Sequence, residues 1–189
     1  FKTTIQKFEG NSKYNLTIES GDCANTDEGC TDGSDIQNGN IKITMEISSS
    51  NPLEFASTLL HEGIHAELFK YVYEFNKGID SNNRANLLYH YFQQKKIQKP
   101  SLVNSTAQHQ HMADKFVKPI AEAIRALDNN NYPLEYYMGF GWDGLRAYGY
   151  DGYYDDNKWV SLSKDQSTDY YIKQKIVNDN TKLKGNECK

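Results

Sequence analysis

His61 and His65 stand four positions apart, with Glu62 directly after the first, in the run Leu-Leu-His-Glu-Gly-Ile-His-Ala-Glu-Leu over 59–68. Residues i and i+4 share one face of an α-helix, so two imidazoles at this spacing can converge on one metal ion. Zinc suits them, since it takes His nitrogens at about 2.0–2.1 Å in tetrahedral geometry. Glu62 lies about 100° further round the helix. From there its carboxylate can take a proton from a metal-activated water without being a ligand. Phe55, Leu59, Leu60, Ile64 and Leu68 surround the motif. A helix with that lining is largely buried, and ionisable groups on it are costly unless they bind something.

Two His ligands are too few, because a catalytic zinc usually has three protein ligands and an open position. The chain has 5 His, which leaves His90, His109 and His111. An amphipathic helix is expected from about Gln108 to Leu127, with Met112, Ala113, Phe116, Val117, Ile120, Ile124 and Leu127 on its apolar face. His109 falls near the centre of that face, and His111 points away with Asp114, Lys115 and Lys118. His109 is therefore the preferred third ligand. His111 stays open as an alternative, because the first turn of the helix can be distorted. His90, among Leu and Tyr residues, reads as a core histidine with a backbone partner. Glu122 and Glu135 are further candidate ligands, with a plainer reading as helix-surface charges.

These residues need a scaffold. Tyr14, Leu16 and Ile18 alternate over 13–20, and Ile41, Ile43, Met45 and Ile47 alternate over 41–47, which predicts two strands. The Gly/Asp/Asn-rich stretch 21–40 reads as a loop. Its Asp22, Asp27, Glu28, Asp32 and Asp35 do not follow a calcium-loop pattern and are expected to be solvated. Asn51, Pro52 and Glu54 form a capping-box start for a helix over Pro52–Phe75, interrupted only by Gly63, which costs about 1 kcal/mol against Ala. Residues 84–97 look helical. Pro119 allows a kink in the 108–127 helix. Residues 133–146 are expected to be helical in part, 147–160 irregular, and 163–178 a last helix. There are no repeats or heptads, and 1–189 reads as a single α+β domain.

The run Ser-Thr-Leu-Leu-His-Glu-Gly-Ile-His-Ala-Glu-Leu over 57–68 resembles the active-site helix of zincin metallopeptidases, and within them the compact SprT-like zincin domains and similar small Bacteroidetes domains. His109-Gln-His-Met112-Ala113 is similar to a later His-x-x-Met-Ala segment of such domains, and Gly139-Phe-Gly-Trp142-Asp-Gly-Leu145 to an aromatic-Gly-Trp segment. The likeness covers roughly residues 40–146, and only the first motif is specific. It implies a small twisted sheet packed on an active-site helix, a second helix bringing His109 as third ligand, bound Zn²⁺, and peptide-bond hydrolysis of a peptide or protein substrate. The longer metzincin pattern is absent, with Leu68 and Tyr71 where it would continue. Oxyanion stabilisation beyond the metal would fall to Arg146 or to one of Tyr132, Tyr136, Tyr137, Tyr148, Tyr150, Tyr153 and Tyr154.

Composition narrows the classes. The chain has 189 residues, 38% of them hydrophobic and 13% aromatic, enough to bury a core. Its formal net charge of −4 gives no footprint for nucleic acid, and no apolar run is long enough for a membrane span. Cys23 and Cys30 bracket a short polar segment, which predicts a disulfide and a secreted or cell-surface setting. Cys188 stands apart. No signal peptide is visible, and the sequence starts at Phe1, as a processed or excised domain would. A competing reading makes the chain a secreted binding or interaction module, or a narrow-target toxin domain, on the same scaffold. An intact Glu62 speaks against a purely structural metal site.

Overall fold

The computed structural model describes residues 5–24, 27–46, 51–75, 109, 112–113, 115–146, 151–156 and 158–184. The architecture is α+β. The chain groups into two compact units, Phe1–Ile47 with Leu59–Gln108, and Ser48–Thr58 with His109–Lys189.

In the first unit, β1 (Asn15–Ser20), β2 (Gly29–Asp32) and β3 (Asn40–Met45) form one sheet in the order β1-β3-β2. β1 runs parallel to β3, with Asn15 opposite Asn40, and β2 runs antiparallel to it, with Thr31 opposite Ile43. The central strand carries the apolar alternation. Ile41, Ile43 and Met45 are buried, whereas β1 is an edge strand whose Ile18 is exposed. β2 lies inside the stretch expected to be loop. Gly-Cys-Thr-Asp has no large apolar alternation to announce a strand. It is one because β3 offers it a free ladder edge and the Cys23–Cys30 disulfide ties it back toward the end of β1.

Helix α1 (Pro52–Phe75) has the predicted bounds. From Leu59 onward it belongs to the first unit, where residues 60–66 are buried without a break. The loop after β2 packs tightly on it: a Cβ at Gly33 would come 2.6 Å from the Phe69 ring. Lys7 pairs with Glu67, and the Lys70 ammonium sits 5.6 Å from the Tyr14 ring centroid.

The first turns of α1 belong to the second unit. Asn51 caps them, its Oδ1 accepting from the backbone N–H of Leu53 at 2.9 Å and of Glu54 at 3.4 Å. The Glu54 carboxylate accepts from the Asn178 amide, and the Ser57 hydroxyl donates to the Phe140 carbonyl at 2.8 Å.

Helix α2 (Val117–Leu127) is shorter than the expected 108–127 helix. Met112, Ala113 and Lys115 are helical, but Phe116 breaks the run as a turn three residues before Pro119. Pro119 cannot donate to the carbonyl of Lys115, and its ring crowds that carbonyl. Two 3₁₀ turns follow, Leu134–Tyr136 and Met138–Trp142, and they bring the fully buried Tyr137, Phe140 and Trp142 into the core. A Cβ at Gly141 would meet the Val117 carbonyl oxygen at 2.2 Å, so only glycine lets this turn lie against α2.

The stretch expected to be irregular holds a hairpin, β4 (Gly152–Asp155) and β5 (Lys158–Ser161). Its turn residue Asp156 has φ 45°, the left-handed conformation that Asp and Asn tolerate in tight hairpins. Helix α3 (Lys164–Lys184) extends past its expected end and buries Gln174, Val177 and Asn178. No helix among the described residues is long and apolar enough to cross a membrane.

Candidate metal centre

One turn of α1 brings His61 and His65 together, with their Nε2 atoms 3.3 Å apart and their rings at 61°. Two nitrogens bound to one tetrahedral metal at about 2.0–2.1 Å would stand about 3.3–3.4 Å apart. The observed pair has the spacing that a shared metal ion requires. Both imidazoles are buried, His61 at 8% exposure and His65 at 1%. His109 is half-buried and opens the long segment of the second unit. His61 and His65 could share a metal ion.

Glu62 is buried as well, at 6% exposure. Its two oxygens have different neighbours. Oε1 lies 3.9 Å from His61 Nε2, and Oε2 accepts a hydrogen bond from the Thr31 hydroxyl at 2.7 Å. The Thr31 oxygen is also 3.0 Å from the Glu62 carbonyl oxygen. A hydroxyl has one proton to give, and the nearer, charged acceptor is the stronger one.

Thr31 escapes sequence reasoning. It sits in a stretch without apolar periodicity, and its partner is 31 positions away. The one local signal is Cys30 beside it, whose disulfide fixes the strand.

The other candidates have other surroundings. His90 and His111 lie outside the described residues, as do the expected 84–97 helix, Tyr148, Tyr150 and Cys188. Glu122 is exposed and faces Lys118 at 3.8 Å. Glu135 is half-buried in a 3₁₀ turn. The Arg146 guanidinium donates to Asp143 at 3.2 Å and Gln174 at 2.6 Å and stacks 4.6 Å from the Tyr171 ring. Tyr137 donates to Asp128, and Tyr132 stacks on Tyr136 with centroids 5.3 Å apart. In the 21–40 stretch, Asp35 accepts from the Asn38 and Asn40 amides, the latter at 2.6 Å, and these bonds hold its carboxyl below the usual range.

No family model matches the chain, and no curated protein and no solved structure is significantly similar to it.

Proposed function

We propose that the chain is a zinc-dependent peptide hydrolase of zincin type, with His61, His65 and His109 holding the metal and Glu62 as the general base. The observation that carries this reading is the 3.3 Å Nε2 pair with a buried carboxylate oxygen 3.9 Å from it. A bound zinc supplies Lewis acidity and lowers the pKa of a water at its open position to about 7. His61 and His65 bring their Nε2 atoms to 3.3 Å from one turn of α1, the spacing that a shared ion requires. Glu62 would take a proton from the attacking water on Oε1 as the water oxygen bonds to the scissile carbonyl carbon, and pass it to the amine nitrogen as the C–N bond breaks. The enclosure of Glu62 excludes bulk water, which would otherwise screen the carboxylate. The Cys23–Cys30 disulfide supports an oxidising setting, secreted or at the cell surface.

The test is zinc content per chain after purification without added metal, paired with turnover of a peptide library. We expect about one zinc in the wild type and its loss in His61→Ala and His109→Ala. In Glu62→Gln the zinc stays and turnover falls by roughly 10²- to 10⁴-fold. A wild type that takes up no zinc, or a Glu62→Gln variant with undiminished turnover, would overturn the reading.

A further inference from the structure

We infer that Thr31 is a positioning residue that aims the Glu62 carboxylate. This rests on the reading of Glu62 as the general base and goes beyond it, because Thr31 belongs to no part of the metal motif. A glutamate side chain has three rotatable bonds, so a carboxylate without a tether samples several orientations. A proton acceptor must instead be held close to its working geometry. Thr31 supplies the tether. Its hydroxyl binds Oε2 at 2.7 Å and leaves Oε1 as the oxygen on the His61 side, 3.9 Å from Nε2.

The tether is itself held in place. Thr31 is buried at 7% exposure and pairs with Ile43 across the β2–β3 ladder, and Ile43 is fully buried. Cys30, the preceding residue, is bonded to Cys23. The hydroxyl also lies 3.0 Å from the carbonyl of Glu62, so among the described residues both of its acceptors belong to Glu62. A strand edge that is covalently fixed thus sets one end of the hydrogen bond, and a buried helix turn sets the other.

The experiment compares Thr31→Val, which keeps the shape and removes the hydroxyl, with Thr31→Ser, which keeps the hydroxyl. Both are assayed on the full chain loaded with zinc, for zinc content, KM and kcat. We expect Thr31→Val to retain zinc and KM and to lose kcat by roughly ten- to a hundredfold. Thr31→Ser should return kcat to within a few-fold of wild type.

A second readout needs no turnover. The urea midpoint of unfolding is measured for Thr31→Val in the wild-type and Glu62→Ala backgrounds. The drop caused by Thr31→Val should be at least halved, by roughly this double-mutant logic, once Glu62 is gone. Equal drops in both backgrounds overturn the inference, and so does Thr31→Val with wild-type kcat while Glu62→Gln is inactive. Zinc binding with no peptide turnover in the wild type would instead strike the peptidase reading, and with it the catalytic use of this contact.

Discussion

The region around Glu62 and the region around Trp142 are both tightly buried, but with opposite contents. α1 places two imidazoles and a carboxylate at 8% exposure or less, next to a buried threonine. The 3₁₀ turns of the second unit place Tyr137, Phe140 and Trp142 at 0%, with Trp142 stacked 6.0 Å from Tyr170 and edge-on to Tyr153 at 5.9 Å. Burying apolar rings stabilises a fold, whereas burying ionisable groups costs stability unless they are used. The aromatic region therefore reads as the part that holds the chain folded. The α1 motif instead buries ionisable groups, whose cost is offset by partners such as the Thr31 hydroxyl on Glu62.

If that contrast is right, the same two assays should separate the regions. The largest effect on folding is expected from Trp142→Ala, at about 3–5 kcal/mol by urea unfolding. Glu62→Gln, which cuts turnover by roughly 10²- to 10⁴-fold on our reading, should shift the same curve by less than about 1 kcal/mol in either direction. A large loss of stability in Glu62→Gln would break the comparison.

Replacing Cys23 and Cys30 together by Ser should cost somewhat less. The bond closes a short loop, with a sequence separation of 7. The chain-entropy estimate for a loop of that size is about 2.5 kcal/mol. Because Thr31 follows Cys30, turnover should fall along with stability, while zinc content stays near one per chain by our reading of the ligand set. Unchanged turnover would separate the disulfide from the site.

Tyr137→Phe should cost less than either of these two losses, about 1–2 kcal/mol, from loss of the hydrogen bond to the Asp128 carboxylate. It also carries a pH signature. Burial first, and then the bond to Asp128, hold the Tyr137 hydroxyl well above its ordinary value of 10.0. The unfolded chain therefore loses this proton first as pH rises, so the contribution is full below about pH 10 and declines above it. Urea midpoints measured at pH 8 and pH 11 should converge between wild type and Tyr137→Phe at the higher pH.

The parts of this structure legible in the sequence are those with local signals. Asn51 and Pro52 announce α1, and the alternation of Ile41, Ile43 and Met45 announces β3. The His61–His65 pair is legible because a helix alone sets its geometry. β2 and the β4–β5 hairpin are not, since their residues become strands by pairing rather than by pattern. The hairpin does carry a signal that a polar reading passes over: Asp156-Asn157 between Tyr153-Tyr154 and Trp159-Val160. Thr31 was out of reach for the same reason, because no periodicity connects a residue to one 31 positions on. The helix predicted over 108–127 is interrupted by a turn at Phe116, three residues before Pro119, and α2 begins at Val117.

Chains made with Cys23 and Cys30 still reduced would keep both imidazoles on the same turn of α1, and on this reading would load zinc normally. What they would lack is the fixed strand that steadies the base. Metal analysis would report such material as complete, and only a turnover assay would tell it apart from the oxidised form. Closing the Cys23–Cys30 bond would then act as a maturation step, separating loading of the metal from competence in turnover.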